Sequence, residues 1–208
     1  QTYNVLKQAV ESSEANFICT QWSGTNFHCR LLDKAEIGWN EEEQIFTEYL
    51  PARTRLWVVG NQFDACSLIE LCLNLAWDVH WVGNTQKMRK DLQKRVTAHY
   101  DWESVEGMCS SDYVVMMTHD FDRDVAFINQ NIVGNTFQYV GILGPTKRFD
   151  RLQKQINGKL VTDIASPIGL DIGAEGADEI ALAVVAEILA VQRNRNGQRL
   201  KFRESTIH

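Results

Sequence analysis

From Arg55 onward the chain repeats one pattern that leaves little freedom of fold: a short apolar run, a glycine or polar turn, then a stretch with helical spacing. Leu56-Trp57-Val58-Val59-Gly60 is the first run, of the kind a parallel strand buried on both faces requires. Residues 64–77 follow as a helix, with Leu68, Leu71, Cys72 and Leu75 on one face. Strands are predicted at 78–82, at 113–118 (entered from Ser110-Ser111-Asp112) and at 138–143, ending at Gly144. Helices are predicted at 121–133, 147–156 and 178–195. In the second of these Phe149, Leu152 and Ile156 turn inward, while Lys147, Arg151 and Lys154 turn outward. Strands alternating with helices imply an α/β fold with a Rossmann-like, doubly wound parallel sheet, because neighbouring parallel strands need crossover connections.

The first quarter reads differently. Residues 2–13 have helical spacing. Apolar runs at 17–22 and 27–32 flank Ser23-Gly24-Thr25-Asn26, a hairpin signal. Glu41-Glu42-Glu43 suits a solvated edge, and Pro51-Ala52-Arg53-Thr54 a link. We therefore expect a small α+β unit at 1–52, the remainder of a longer N-terminal region, and a Rossmann-like domain at 53–208.

Charge and cysteine usage narrow the class of function. Net charge is −6, and residues 1–50 carry −5 of it, which disfavours nucleic acid and anionic membranes as partners. No apolar run approaches the ~18 residues of a membrane span. The five cysteines form no CxxC pair, so neither a zinc site nor a redox dithiol is signalled. No metal site is expected, and a reducing, cytoplasmic setting is.

A strand followed by Gly60 and a helix is where dinucleotide folds place their phosphate fingerprint. Here the turn reads Gly60-Asn61-Gln62-Phe63-Asp64. Gln62 brings a side chain where backbone must approach a pyrophosphate. Asp64 sets a carboxylate at the helix pole that attracts anions, and its bland role is to cap that helix. The second strand ends in Val82-Gly83-Asn84-Thr85 rather than in an acid for ribose hydroxyls. The turn is thus a degenerate nucleotide site, and NAD(P) is expected to bind poorly.

Three later loops fall beyond the carboxyl ends of strands, where open parallel sheets bind ligands. Thr118-His119-Asp120 offers a hydroxyl, an imidazole and a carboxylate; the plainer account has Asp120 capping a helix and His119 exposed. Gly141 to Arg148 makes a tight exit at Gly144-Pro145, with Thr146 as cap and Lys147 and Arg148 in the first helical turn. Cations there oppose the helix dipole unless an anion bridges them, although a solvated basic face explains them as well. Ser166 to Glu175 holds Gly169, Asp171 and Glu175 in a loop of demanding backbone geometry; alternatively the two acids only lock it ahead of the last helix. Cys66 lies in a first helical turn, but Asp64 nearby favours a packed thiol. The stretch from Arg193 to His208 reads as a solvated basic end.

Val114-Val115-Met116-Met117-Thr118-His119-Asp120, then Asp124, then Tyr139-Val140-Gly141-Ile142-Leu143-Gly144 resemble consecutive motifs of the xanthine dehydrogenase accessory factor family (XdhC/CoxI type). Pro167 to Glu175, followed by Glu179-Ile180-Ala181 and Ala186-Glu187-Ile188, is similar to that family's most recognisable stretch. The resemblance runs over about residues 111–192 and, more weakly, back to Tyr49. It implies a Rossmann domain that binds molybdenum cofactor (molybdopterin) through the three loops, protects it during sulfuration, and delivers it to a molybdenum hydroxylase such as xanthine dehydrogenase. A cysteine desulfurase and a homodimer belong to the same picture, and no residue is assigned a catalytic role. The family commonly has Gly-Ala-Gly where Gly60-Asn61-Gln62 stands, Asp-x-Arg where Gly83-Asn84-Thr85 stands, and Ser where Pro145 stands. Its N-terminal Cys-Gly-Gly motifs have no counterpart, since no Gly-Gly pair occurs in the 208 residues. The region lies upstream of Gln1 or the chain is a divergent member. Two other functions stay open: an NAD(P)-binding oxidoreductase, and a degenerate Rossmann module for interaction or sensing.

Overall fold

The computed structural model describes residues 2–12 and 14–202. Ser13 and the tail from Arg203 to His208 lie outside the described residues. The chain divides into two compact units, Gln1–Arg53 and Thr54–His208.

In the first unit α1 (Thr2–Glu11) precedes β1 (Asn16–Ser23), β2 (Asn26–Leu32), β3 (Gly38–Asn40) and β4 (Ile45–Leu50). They form an antiparallel sheet of order β2-β1-β4-β3. The expected hairpin is present: Ser23 pairs with Asn26 around Gly24, whose φ of 63° suits a tight two-residue turn. The acidic run 41–43 lies exposed in the turn between β3 and β4.

The second unit contains β5 (Arg55–Val59), α2 (Phe63–Asn74), β6 (Asp78–Val82), α3 (Lys90–Gln93), β7 (Ala98–Tyr100), β8 (Tyr113–Met116), α4 (Phe121–Phe127), β9 (Tyr139–Ile142), α5 (Thr146–Gln153), β10 (Ile164–Ala165) and α6 (Ala177–Gln192). Every strand pair in its sheet is parallel, in the order β10-β9-β8-β5-β6-β7. The chain runs from β5 outward to β7, then crosses back to β8 on the other side of β5. The switch point of the Rossmann order therefore lies between β5 and β8. Both faces are covered. One side of the sheet packs Leu56, Val58, Val79 and Val115 against α2 and α6. The other packs Trp57, Val59, Val114 and Ile142 against α4 and α5. This explains why the strands read as unbroken apolar runs.

Several elements differ in extent from the sequence reading. α2 stops at Asn74 because Ala76 adopts a φ of 57°, which no helix continues through. The predicted helix 121–133 is α only to Phe127 and continues as a π-helical turn, Ile128–Ile132, closed by the Val133 N–H on the Ile128 carbonyl. β7 and β10 are three and two residues long, too short for alternation to reveal them.

The amino-terminal edge of this sheet is tied by one carboxylate. Asp112, fully buried, accepts from Arg55 Nε at 2.6 Å and Nη2 at 2.9 Å, from Trp57 Nε1 at 2.8 Å and from the Cys109 amide at 2.8 Å. The Asp112 hydrogen bond, ahead of the opposing effect of burial, raises the pKa of Arg55. Replacing Asp112 by alanine strands three donors at once. We expect Asp112→Ala to lower unfolding free energy by about 3–5 kcal/mol in denaturant titration. A loss under about 1 kcal/mol would mean the network is dispensable.

Candidate functional site

β5, β8 and β9 are neighbours, so their carboxyl ends bring the Gly60, Thr118 and Gly144 turns together. Gly60 has a φ of 140°, and a side chain there would collide with the Met117 carbonyl. The turn after β5 thus lies against the end of β8, which only glycine permits. Gln62 is the N-cap residue of α2 but contributes no side-chain cap. Asp64 does not cap the helix, as the sequence suggested. It sits inside the first turn, and its Oδ2 lies 3.1 Å from His119 Nε2. Burial pushes the Cys66 thiol up, in keeping with a packed cysteine.

Asn61 closes the space beside this turn. Its Oδ1 accepts from the Asn84 amide at 2.7 Å and its Nδ2 donates to the Asn84 carbonyl at 3.3 Å. A side chain at Gly83 would collide with it. The gap between the β5 and β6 turns, beside the switch point, is here bridged by a protein amide.

The β8 and β9 turns are organised by a buried acid. Asp124, 1% exposed, faces inward from α4. Its Oδ1 accepts from Thr118 Oγ1 at 2.5 Å, and its Oδ2 lies 2.5 Å from Arg148 Nη2. That second contact is an ion pair off the hydrogen-bonding direction. Burial pushes the Asp124 carboxyl above its usual range, and the Thr118 hydroxyl and Arg148 guanidinium oppose that. Thr118 Oγ1 also accepts the Asp120 amide at 3.1 Å. His119 is held between them at a φ of 56°, a left-handed conformation uncommon for histidine, with its ring about half exposed. Asp120 caps α4 through the Arg123 amide and pairs with Arg123 Nε, both at 3.1 Å.

Arg148 is therefore not a free surface cation, as the sequence suggested. Its side chain is 19% exposed and is committed to Asp124. A side chain at Gly144, where φ is 138°, would crowd Arg148 Cδ at 3.1 Å. Pro145 rather than Thr146 is the N-cap residue of α5, and no side chain caps that helix. Lys147 is exposed in the first turn and makes no hydrogen bond or ion pair among the described residues. The first amides of α5 and this ammonium together can receive an anion.

The remaining residues singled out in the sequence lie elsewhere. Gly141 is interior to β9, where its missing side chain makes room for Ile168. Gly169, at φ 100°, fits against Ala183 and donates its amide to Glu187 Oε2 at 2.7 Å; Glu187 also takes the Tyr139 hydroxyl. Asp171 and Glu175 are exposed, and among the described residues no side-chain hydrogen bond joins either to His119 or Lys147. The Glu175 amide bonds the Glu179 carboxylate at 2.7 Å. No group of three or more potential metal ligands occurs among the described residues. Asp124, Asn61 and Glu187 are the organising residues that spacing alone did not single out. An acid on the inward face of an apolar helix was the available signal for Asp124.

The buried pair generates a stability prediction. Arg148→Ala leaves Asp124 uncompensated and is expected to cost about 3–5 kcal/mol in denaturant unfolding, whereas Lys147→Ala stays within about 0.5 kcal/mol. The sign with pH follows from the raised carboxyl. Stability from such a group is fully present below its unfolded value and is lost as pH rises through its folded value. Removing Arg148 widens that gap, so the deficit is largest at neutral pH and shrinks toward 3.8. An equal deficit at neutral and acid pH would exclude Asp124 as its source.

Residues 56–188 match the family described as the XdhC Rossmann domain. One probable xanthine dehydrogenase subunit, from Bacillus subtilis strain 168, is 40% identical over 83 residues, covering 39% of this chain and 24% of that protein. The uncharacterized protein YqeB of Escherichia coli K12 is 29% identical over 91 residues, covering 41% of this chain and 16% of its own length. The matched stretches thus span a quarter or less of these relatives. A crystal structure described as a xanthine dehydrogenase from Bacillus halodurans superposes with a TM-score of 0.70 over 93% of this chain and 64% of that one, at 23% identity, which supports the fold. With the family match extending from β5 into α6, through every loop of the site, the chain belongs to the XdhC Rossmann-domain family.

Proposed function

We propose that this protein binds molybdenum cofactor at the carboxyl edge of its parallel sheet and hands it to a molybdenum hydroxylase. The observation that carries the reading is the start of α5: uncapped amides beside an exposed, unpaired Lys147, in a chain of this family. A pterin phosphate needs charge-assisted donors of this kind. The site therefore fits the phosphate end of the group. The cofactor supplies the redox-active metal that the recipient enzyme uses, and this chain supplies binding, orientation and shelter. Lys147 and the α5 amides hold the phosphate, and His119 and Asp120 border it. Gly144 is needed for Arg148 to pack, and so sets where α5 begins. Gly169, Asp171 and Glu175 belong to the proposed site as its other wall. The same reading includes a homodimer acting in the cytoplasm, with a cysteine desulfurase as sulfur donor, and makes the chain a carrier rather than an enzyme.

The reading leaves out NAD(P), because Asn61 bridges the β5 and β6 turns and Asp64 puts a carboxylate at the start of α2. That closure favours, as a second reading, an interaction module that kept the scaffold without a small ligand. Titrating purified protein with molybdenum cofactor and with NAD(P) separates the readings. We expect cofactor binding that Lys147→Ala weakens about tenfold with unchanged unfolding, and NAD(P) binding weaker still. Equal cofactor affinity in Lys147→Ala, or micromolar affinity for a dinucleotide, would overturn the proposal; no cofactor binding at all would favour the interaction module.

A further inference from the structure

A cleft of about 460 Å³ opens on the side of α4 that carries Asp120, away from Asp124. Its wall is Trp102, from the segment after β7, and its floor is the buried ring of Phe127 beside the exposed Ala126. The volume lies in the range of small-molecule sites. The chemistry of its rim is unspent. Arg123 uses Nε on Asp120 while its guanidinium lies 4.9 Å from the Trp102 ring centroid. Among the described residues its two terminal nitrogens make no hydrogen bond, and the Glu103 and Asp122 carboxylates make none either. Gln130 adds an amide able to donate and accept.

We propose that this cleft binds the 2-amino-4-oxopyrimidine edge of a fused heterocycle, the edge that pterins and guanine share. That edge presents two adjacent donors, the exocyclic amine and a ring N–H, followed by a carbonyl acceptor. A carboxylate from Asp122 or Glu103 takes the two donors in parallel, and the free nitrogens of Arg123 take the carbonyl. The guanidinium lies over Trp102, so a heterocycle held edge-on in its plane lies along the same aromatic face. Ala126 leaves the floor open, where any longer side chain would occupy it. The pyrimidine ring needs both signs of hydrogen-bonding group within one small cleft, which an anion site or an apolar groove does not supply. Asp120 joins the cleft to the strand-end site, since it lines the one and follows His119 in the other. In identifying the heterocycle with the ring of the cofactor, the inference rests on the cofactor reading. The recognition of the edge itself does not.

Binding of free pterin, followed by its own fluorescence, tests the cleft without the whole cofactor. We expect saturable quenching by the parent protein, and about tenfold weaker binding of lumazine, which carries a carbonyl in place of the 2-amino group. Guanosine serves as a second arm: tighter binding than pterin assigns the cleft to a guanine nucleotide, the reverse to a pterin. Trp102→Ala and the double variant Glu103→Gln, Asp122→Asn should each lose at least about tenfold in affinity. Ala126→Leu fills the cleft from an exposed helical position and should abolish binding with an unchanged unfolding midpoint, which covers the case in which Trp102→Ala misfolds. The proposal falls if pterin and guanosine both fail to bind the parent at millimolar concentration, if lumazine binds as well as pterin, or if Ala126→Leu binds as the parent does. Pterin binding that depends on the cleft, in a protein that ignores the whole cofactor, would sink the cofactor reading and leave this one standing. Cofactor binding that Ala126→Leu leaves intact would do the opposite.

Discussion

The geometry of the site hangs on a carboxylate in the wrong place. Asp124 faces inward from α4 beside Phe121, Val125 and Ile128, on a face where burial favours apolar side chains. Burying a charge there is unfavourable, and burial accordingly raises its pKa. What the acid contributes is position. One oxygen holds the Thr118 hydroxyl, so the end of β8 is fixed against α4, and the other faces Arg148, so α5 is fixed against both. Arg148 and Lys147 are consecutive on one helix and point about 100° apart. Committing Arg148 inward therefore turns Lys147 outward. The exposed cation of the phosphate-binding proposal is a consequence of the buried pair behind it.

The turn after β5 follows the opposite logic. In a dinucleotide fold the switch point stays open so that a ligand's phosphates lie against backbone. Here Gly60 still provides the close approach, but to the Met117 carbonyl. Asn61 and Asn84 then exchange hydrogen bonds across the gap between the β5 and β6 ends, over a glycine that makes room for them. The glycines of this region serve protein–protein packing inside one domain. Trp81 adds to it, donating its indole N–H to the Gly60 carbonyl at 2.6 Å. The loops of the proposed site follow β8 and β9, on the other side of β5.

Much of this was legible in the sequence, and the reasons for the exceptions are physical. Long buried strands flanked by helices gave their positions to within one or two residues, because burial on both faces demands unbroken apolar runs. Glycine at 60 and 144 announced turns, and both have positive φ. What spacing could not reveal was which charged residues spend themselves on each other. Asp64 looked like a cap and meets His119, 55 positions away; Arg148 looked like a ligand cation and meets Asp124. Gly169 meets Glu187 of α6, 18 positions on. Such pairings join residues distant in sequence, and no local periodicity encodes them. Resemblance to a family marked the stretches that the family match covers without distinguishing the roles of the residues within them.

α4 links these observations because its two sides have different work. Toward α5 it presents Asp124, whose partners lock it in place. Toward the segment after β7 it presents Arg123 and Ala126, which line an open cleft. The helix then loosens into a π-helical turn at Ile128–Ile132, keeping Ile128 and Ile132 in the core while Gln130 reaches the cleft. A single short element, fixed on one side by a buried ion pair, thus sets the separation between the proposed anion site at α5 and the cleft beside Trp102. A ligand bound at both ends would be measured against that separation. Specificity for its length would come from the rigidity of α4 rather than from any contact along the ligand's middle.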